Sequence, residues 1–222
     1  MTHVDVLDEY TGHTEPGGAA IRRDLGALTI TKVSVGPMDN NAFLLVCAAT
    51  HEALLIDAAA EPERLADLVG SGQDRPELKH LVTTHQHWDH WQALGAVAGM
   101  FQPRLISHPL DAPALPIPMD VVVDQGDTVS FGEIELDVVH LRGHTPRARS
   151  RSSTGGARAA PTSSPATRCS PVGRQDGFPR RLLVADRRPR DPGVRRAARR
   201  DVGVPGHGGD DTTIGTERPS LP

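Results

Sequence analysis

The chain has 222 residues, 37% of them hydrophobic and 23% charged, with a formal net charge of −4. That length supports one large domain or two small ones with a sizeable core. No apolar run approaches the length of a membrane span and the polar, acidic first ten residues do not resemble a signal peptide, so a cytoplasmic protein without a membrane partner is expected. Cys47 and Cys169 are the two cysteines, and they form neither a framework of bridges nor a Cys-x-x-Cys site. The average charge conceals a shift along the chain, because residues 147 to 206 hold fifteen of the 24 Lys and Arg but only four acids, Asp176, Asp186, Asp191 and Asp201.

Residues 1 to 26 are polar and Gly-rich and are expected to form a loose arm. Residues 28 to 35 alternate as a strand does, and strand-like runs follow at 42 to 47 and 53 to 56, the last ending at Asp57. Residues 61 to 69 have helical spacing in Leu65, Leu68 and Val69, with acids in the first turn and Gly70 as a stop. A short buried strand is expected at 80 to 83, a helix at 91 to 100, and further strands at 104 to 107 and 121 to 123. Residues 128 to 131 and 134 to 141 suit a hairpin around Gly132-Glu133. Strands first, then strand–helix–strand units, then a hairpin describe a layered α/β domain. From Arg147 the apolar periodicity stops, and residues 147 to 203 read as an Arg-, Pro- and Ser-rich segment of disordered composition.

The densest chemistry lies in Thr84-His85-Gln86-His87-Trp88-Asp89-His90. Four potential metal ligands occupy six residues directly after an apolar strand. In an extended segment His85 and His87 share a face and can grip one ion, while Asp89 and His90, on the following turn, are better placed for a second. Tetrahedral sites need ligands beyond the reach of so short a run. His144, between Gly143 and Thr145-Pro146, and His207, between Gly206 and Gly208, are the candidates to complete them. A metal-bound hydroxide would attack a carbonyl, with Asp89 both a ligand and a hydrogen-bond partner of that nucleophile. His51, His80, His108 and His140 are expected to cap strands or face solvent, and Trp88 and Trp91 to pack beside the site or line a substrate pocket.

His85-x-His87-x-Asp89-His90, Gly143-His144-Thr145-Pro146 and Pro205-Gly206-His207-Gly208 resemble the motifs of metallo-β-lactamase-fold hydrolases. The likeness points to the glyoxalase II-like branch, the hydroxyacylglutathione hydrolases and their relatives. Asp211 to Pro219 is similar to that branch too, and the likeness covers residues 28 to 146 and 204 to 220. The resemblance implies a four-layer αββα sandwich with the site at one edge, its first half at residues 27 to 146 and its C-terminal remnant at 204 to 222. It implies two zinc ions, with iron or manganese as alternatives. His85, His87 and His144 would hold the first ion, and Asp89, His90 and His207 the second. The implied reaction is hydrolysis of a thioester of a small hydroxyacyl-thiol.

Two family features are missing. No Asp in a Thr-Gly-Asp setting stands between His144 and His207 to bridge the metals, and Arg147-Ala148 replaces the Gly-Ser expected after His-Thr-Pro. Both return if residues 147 to 203 are translated in the wrong frame, which would leave the second half of the fold disrupted. With the first two bases of codon 147 skipped and third bases free, residues 147 to 150 can encode Gly-Ser-Val. In the same frame residues 161 to 173 can encode His-Leu-Phe-Thr-Gly-Asp-Ala-Leu-Phe-Pro-Gly-Gly. A different frame lets residues 197 to 203 encode Leu-Pro-Asp-Glu-Thr-Trp-Val, leading into Val204-Pro205-Gly206-His207. Three rival readings stand beside the hydrolase. They are an iron-dependent persulfide dioxygenase of the same fold, an inactive metal-binding product of a frame-shifted gene, and nucleic-acid binding by the basic segment. Phe178 is the only aromatic in that segment and it has no lysine, which argues against a nucleic-acid partner.

Overall fold

A computed structural model describes residues 4–70, 75–138 and 207. The first sheet has eight strands in chain order. They are β1 (Val6–Leu7), β2 (Ala20–Asp24), β3 (Leu28–Val35), β4 (Asn40–Cys47), β5 (Glu52–Ile56), β6 (Glu77–Thr83), β7 (Arg104–Ser107) and β8 (Val121–Val122). From β2 to β5 neighbours run antiparallel, and from β5 to β8 they run parallel. Helix α1 (Pro62–Gly70) connects β5 to β6, and α2 (Leu94–Phe101) connects β6 to β7. The hairpin of β9 (Thr128–Phe131) and β10 (Ile134–Asp137) forms a second, two-stranded sheet.

The strands read as nearly unbroken apolar runs because the large sheet is buried on both faces. Alternate residues go to opposite sides. Val33, Leu44, Leu55 and Leu81 face the helices and meet Leu65, Leu68, Val69, Leu94 and Val97. Ile30, Phe43, Leu54, Ile56, Val82 and Ile106 face the hairpin and meet Val129, Phe131, Ile134 and Leu136. Helices, large sheet and second sheet are three layers of the αββα sandwich in order. The expected fourth layer, the expected extension of β10 to residue 141, and the segment 147 to 203 fall outside the described residues.

Two expectations need correction. The N-terminal segment is not a loose arm. β2 pairs with β3 from Ile21 opposite Lys32 to Asp24 opposite Thr29, and β1 runs parallel to β2. The physical reason is Lys32, which is 0% exposed. Its ammonium donates to the Gly12 carbonyl at 2.8 Å and sits 5.8 Å from the Phe43 ring centre, so residues before β2 satisfy a buried cation. Arg64 of α1 also donates to the carbonyls of Gly17 and Gly18. A polar composition hid a segment tied down by polar contacts. Helix α2 also begins later than residue 91. Trp88–His90 form a turn of 3-10 helix, and the α-helix starts only at Leu94.

β5 and β6 are parallel, so Asp57 and Thr84 emerge at the same sheet edge. The cluster follows there, where an open α/β sheet presents its loops. The β3–β4 turn reaches the same place. Its Gly36 has φ of +72°, and a Cβ there would stand 3.0 Å from the Ala60 Cβ, so only glycine lets this turn lie against the loop after β5.

Candidate metal centre

The 3-10 turn puts Asp89 and His90 on the inner side and leaves Trp88 57% exposed. His207 arrives through an isolated bridge with Asn40 at the start of β4. Asp89 Oδ2, His90 Nε2 and His207 Nε2 then form a triangle. The sides are 3.5 Å between Asp89 and His90, 3.3 Å between Asp89 and His207, and 3.2 Å between His90 and His207. Ligand atoms about 2.0–2.1 Å from one tetrahedral metal stand roughly 3.3 Å apart, so the three atoms match one face of such a site. His85 and His87 lie alongside. His85 Nε2 faces His87 Nδ1 at 3.0 Å, and the His85 and His90 ring centres are 4.1 Å apart.

The groups behind the ligand atoms support the same fit. His90 Nδ1 is 2.8 Å from Asp57 Oδ2, and His207 Nδ1 is 3.0 Å from the Met38 carbonyl. Both partners accept, so each Nδ1 carries the proton and each Nε2 presents a lone pair inward. Two lone pairs and a carboxylate turned on one another repel unless a cation or a proton lies between them. Histidine ligands held by such outer partners are the usual construction of a metal site. His85 follows suit, with Nδ1 3.0 Å from Thr84 Oγ1, which in turn donates to Asp57 Oδ2 at 2.8 Å.

Burial works against charge on His90, but the Asp57 charge and hydrogen bond, with Asp89 beyond, outweigh it and hold its pKa above the ordinary value. Burial likewise works against the Asp89 carboxylate. The Asn40 amide, donating to Oδ2 at 3.0 Å, and the charge of His90 prevail, and its pKa lies below the usual range.

Five of the six sequence candidates, His85, His87, Asp89, His90 and His207, are therefore brought together. His144 lies outside the described residues. Sequence reasoning missed the roles of Asp57, Asn40 and the Met38 carbonyl. The signal for Asp57 was its place at the end of an apolar strand, where its φ of 57° turns the chain and an Asp tolerates that conformation. His108, expected to cap a strand or face solvent, stands directly after β7 and is buried at 8% exposure. Trp91 packs half-buried against the core, while Trp88 is exposed. Among the described residues no helix is long and apolar enough to cross a membrane.

Residues 35–147 match the Metallo-beta-lactamase superfamily. A hydroxyacylglutathione hydrolase of Ruegeria pomeroyi is 33% identical over 107 residues, 48% of this chain and 40% of that protein. A hydroxyacylglutathione hydrolase-like protein of Bos taurus is 32% identical over 116 residues, 51% and 57% of the two chains. The solved structure of ETHE1 from Myxococcus xanthus is 28% identical, with a TM-score of 0.46 over 52% of this chain and 49% of that one. The chain spans about half the length of the curated relatives it matches.

Proposed function

The chain belongs to the metallo-beta-lactamase superfamily, and from that premise we propose that it descends from a metal-dependent hydrolase acting on thioesters of small hydroxyacyl-thiols. The observation that carries this reading is the triangle of Asp89, His90 and His207 beside the facing pair His85 and His87. His85 and His87, with His144 as third partner, would hold one ion, and Asp89, His90 and His207 a second. Bound zinc would supply Lewis acidity, making water nucleophilic at neutral pH and polarising the substrate carbonyl.

The chain's own residues do the rest. Asp57 fixes the tautomer of His90, and through Thr84 that of His85, so that both Nε2 atoms point into the site. Asn40 aims the Asp89 carboxylate, whose depressed pKa keeps it ionised to ligate an ion and to accept a hydrogen bond from the nucleophile. Trp88, within the ligand turn, and Met38, whose carbonyl meets His207, leave their side chains exposed.

The bridging Asp of the family is absent, and we read residues 147 to 203 as translated out of frame. The family match ends at residue 147, where the alternative frame would begin. His207 returns to the site from beyond the segment, as a single domain with a corrupted middle would require. The chain in hand is therefore expected to hydrolyse an acyl-thiol such as S-lactoylglutathione slowly. A metal chelator should remove that rate and added zinc restore it. A rate that survives the chelator would contradict metal-dependent hydrolysis.

A further inference from the structure

We propose that Asp111, working with Trp91, is a positioning residue for the His85–His87 pair. The proposal rests on the reading of that pair as metal ligands. Gln86 lies between the two histidines, and its peptide groups are held from both sides. Its N–H donates to Asp111 Oδ1 at 3.3 Å, and its carbonyl accepts from the Trp91 indole Nε1 at 2.9 Å. The N–H belongs to the peptide plane joining residues 85 and 86, and the carbonyl to the plane joining 86 and 87. A peptide is planar, so fixing both planes fixes three successive Cα atoms and the directions in which both imidazoles leave the chain.

Asp111 comes from a different part of the fold, the tight turn after β7. Its N–H and that of Ala112 both donate to the His108 carbonyl, at 3.0 and 2.9 Å. The residue is 0% exposed. Burying a carboxylate costs several kcal/mol unless donors and counter-charges meet it. His108 lies beside it: its Nδ1 accepts from the Leu110 N–H at 3.2 Å and stands 3.7 Å from Asp111 Oδ2, and its Nε2 is 3.1 Å from Asp124 Oδ1 just after β8. One oxygen of this buried carboxylate sits on the backbone between the two histidines. Its effect is to couple the β7 and β8 ends of the sheet to the ligand loop. Trp91, three residues after Trp88, closes the clamp from inside the cluster itself.

The test uses the full chain and three substitutions, Asp111→Ala, Asp111→Asn and Trp91→Phe. Zinc affinity is read by competition with a chromophoric chelator, and amide exchange across residues 85–88 is read in the metal-free protein. Asp111→Ala should weaken zinc binding about 10- to 100-fold, the range for outer partners of metal ligands, and speed exchange at Gln86. Asp111→Asn keeps an oxygen that accepts the Gln86 N–H and should restore most of that affinity. Trp91→Phe keeps the ring, loses the N–H and should weaken zinc roughly threefold to tenfold. If Asp111→Ala does not fold, Trp91→Phe decides, and parental affinity there overturns the proposal. So does an Asn variant as weak as a folded Ala variant. If the parent itself binds no zinc, the metal reading fails separately. The exchange data then decide the clamp, and unchanged exchange in the variants overturns it.

Discussion

Asp57→Ala is expected to cost the metal-free chain about 3–5 kcal/mol of unfolding free energy, the range for stripping one partner from a buried ion pair. The Asp57 and His90 side chains are each 2% exposed, and the carboxylate accepts from His90 Nδ1, Thr84 N–H and Thr84 Oγ1. Alanine would leave the buried His90 donor and the two part-buried Thr84 donors without that acceptor. The ionic part of this contribution depends on pH. His90 has its pKa raised in the fold, so that part is full below the ordinary histidine value and is lost as pH rises through the raised one. The hydrogen bonds from Thr84 do not titrate with His90 and persist. Urea unfolding in the presence of a chelator measures the effect. A loss under about 1 kcal/mol, the scale of a single ordinary hydrogen bond, would show that Asp57 does not organise the site.

Restoring the alternative frames across residues 147 to 203, which takes more than one shift, is expected to raise thioester hydrolysis by on the order of a thousandfold or more, the scale lost when one member of a catalytic unit is removed. The restored text places an Asp in a Thr-Gly-Asp setting between His144 and His207, where an ion-bridging carboxylate is missing. Such a carboxylate would neutralise charge between the ligand groups that His85 and His90 bring within 4.1 Å, ring centre to ring centre. The comparison is the acyl-thiol rate of the frame-corrected chain against that of the chain in hand. Equal rates would refute the frame reading, as would a gene whose alternative frames carry stop codons through this region.

What could be read from the sequence divides along a physical line. The strands at 28–35, 53–56 and 104–107 were legible because burial on both faces leaves long apolar runs cut by turn residues. The ligand cluster was legible because its spacing is local: His85, His87, Asp89 and His90 share one loop. His207 was legible through its glycine-flanked motif. The groups that orient the ligands were not. Asp57 meets His90, Asn40 meets Asp89, and Asp111 meets Gln86 across separations in the chain that no local pattern records. The N-terminal strands were hidden for a related reason. Their partner is Lys32, a cation in an otherwise strand-like run, and nothing in its neighbours signals that Gly12 returns to cap it.

The central claim is that this chain carries a metal centre of the family with its bridge missing. Elemental analysis of the purified protein after dialysis against zinc tests it most directly. One metal ion per chain is the expected result, lost when His85 and His87 are replaced by alanine. Two tightly held ions would contradict the missing bridge, and none would contradict the metal centre itself.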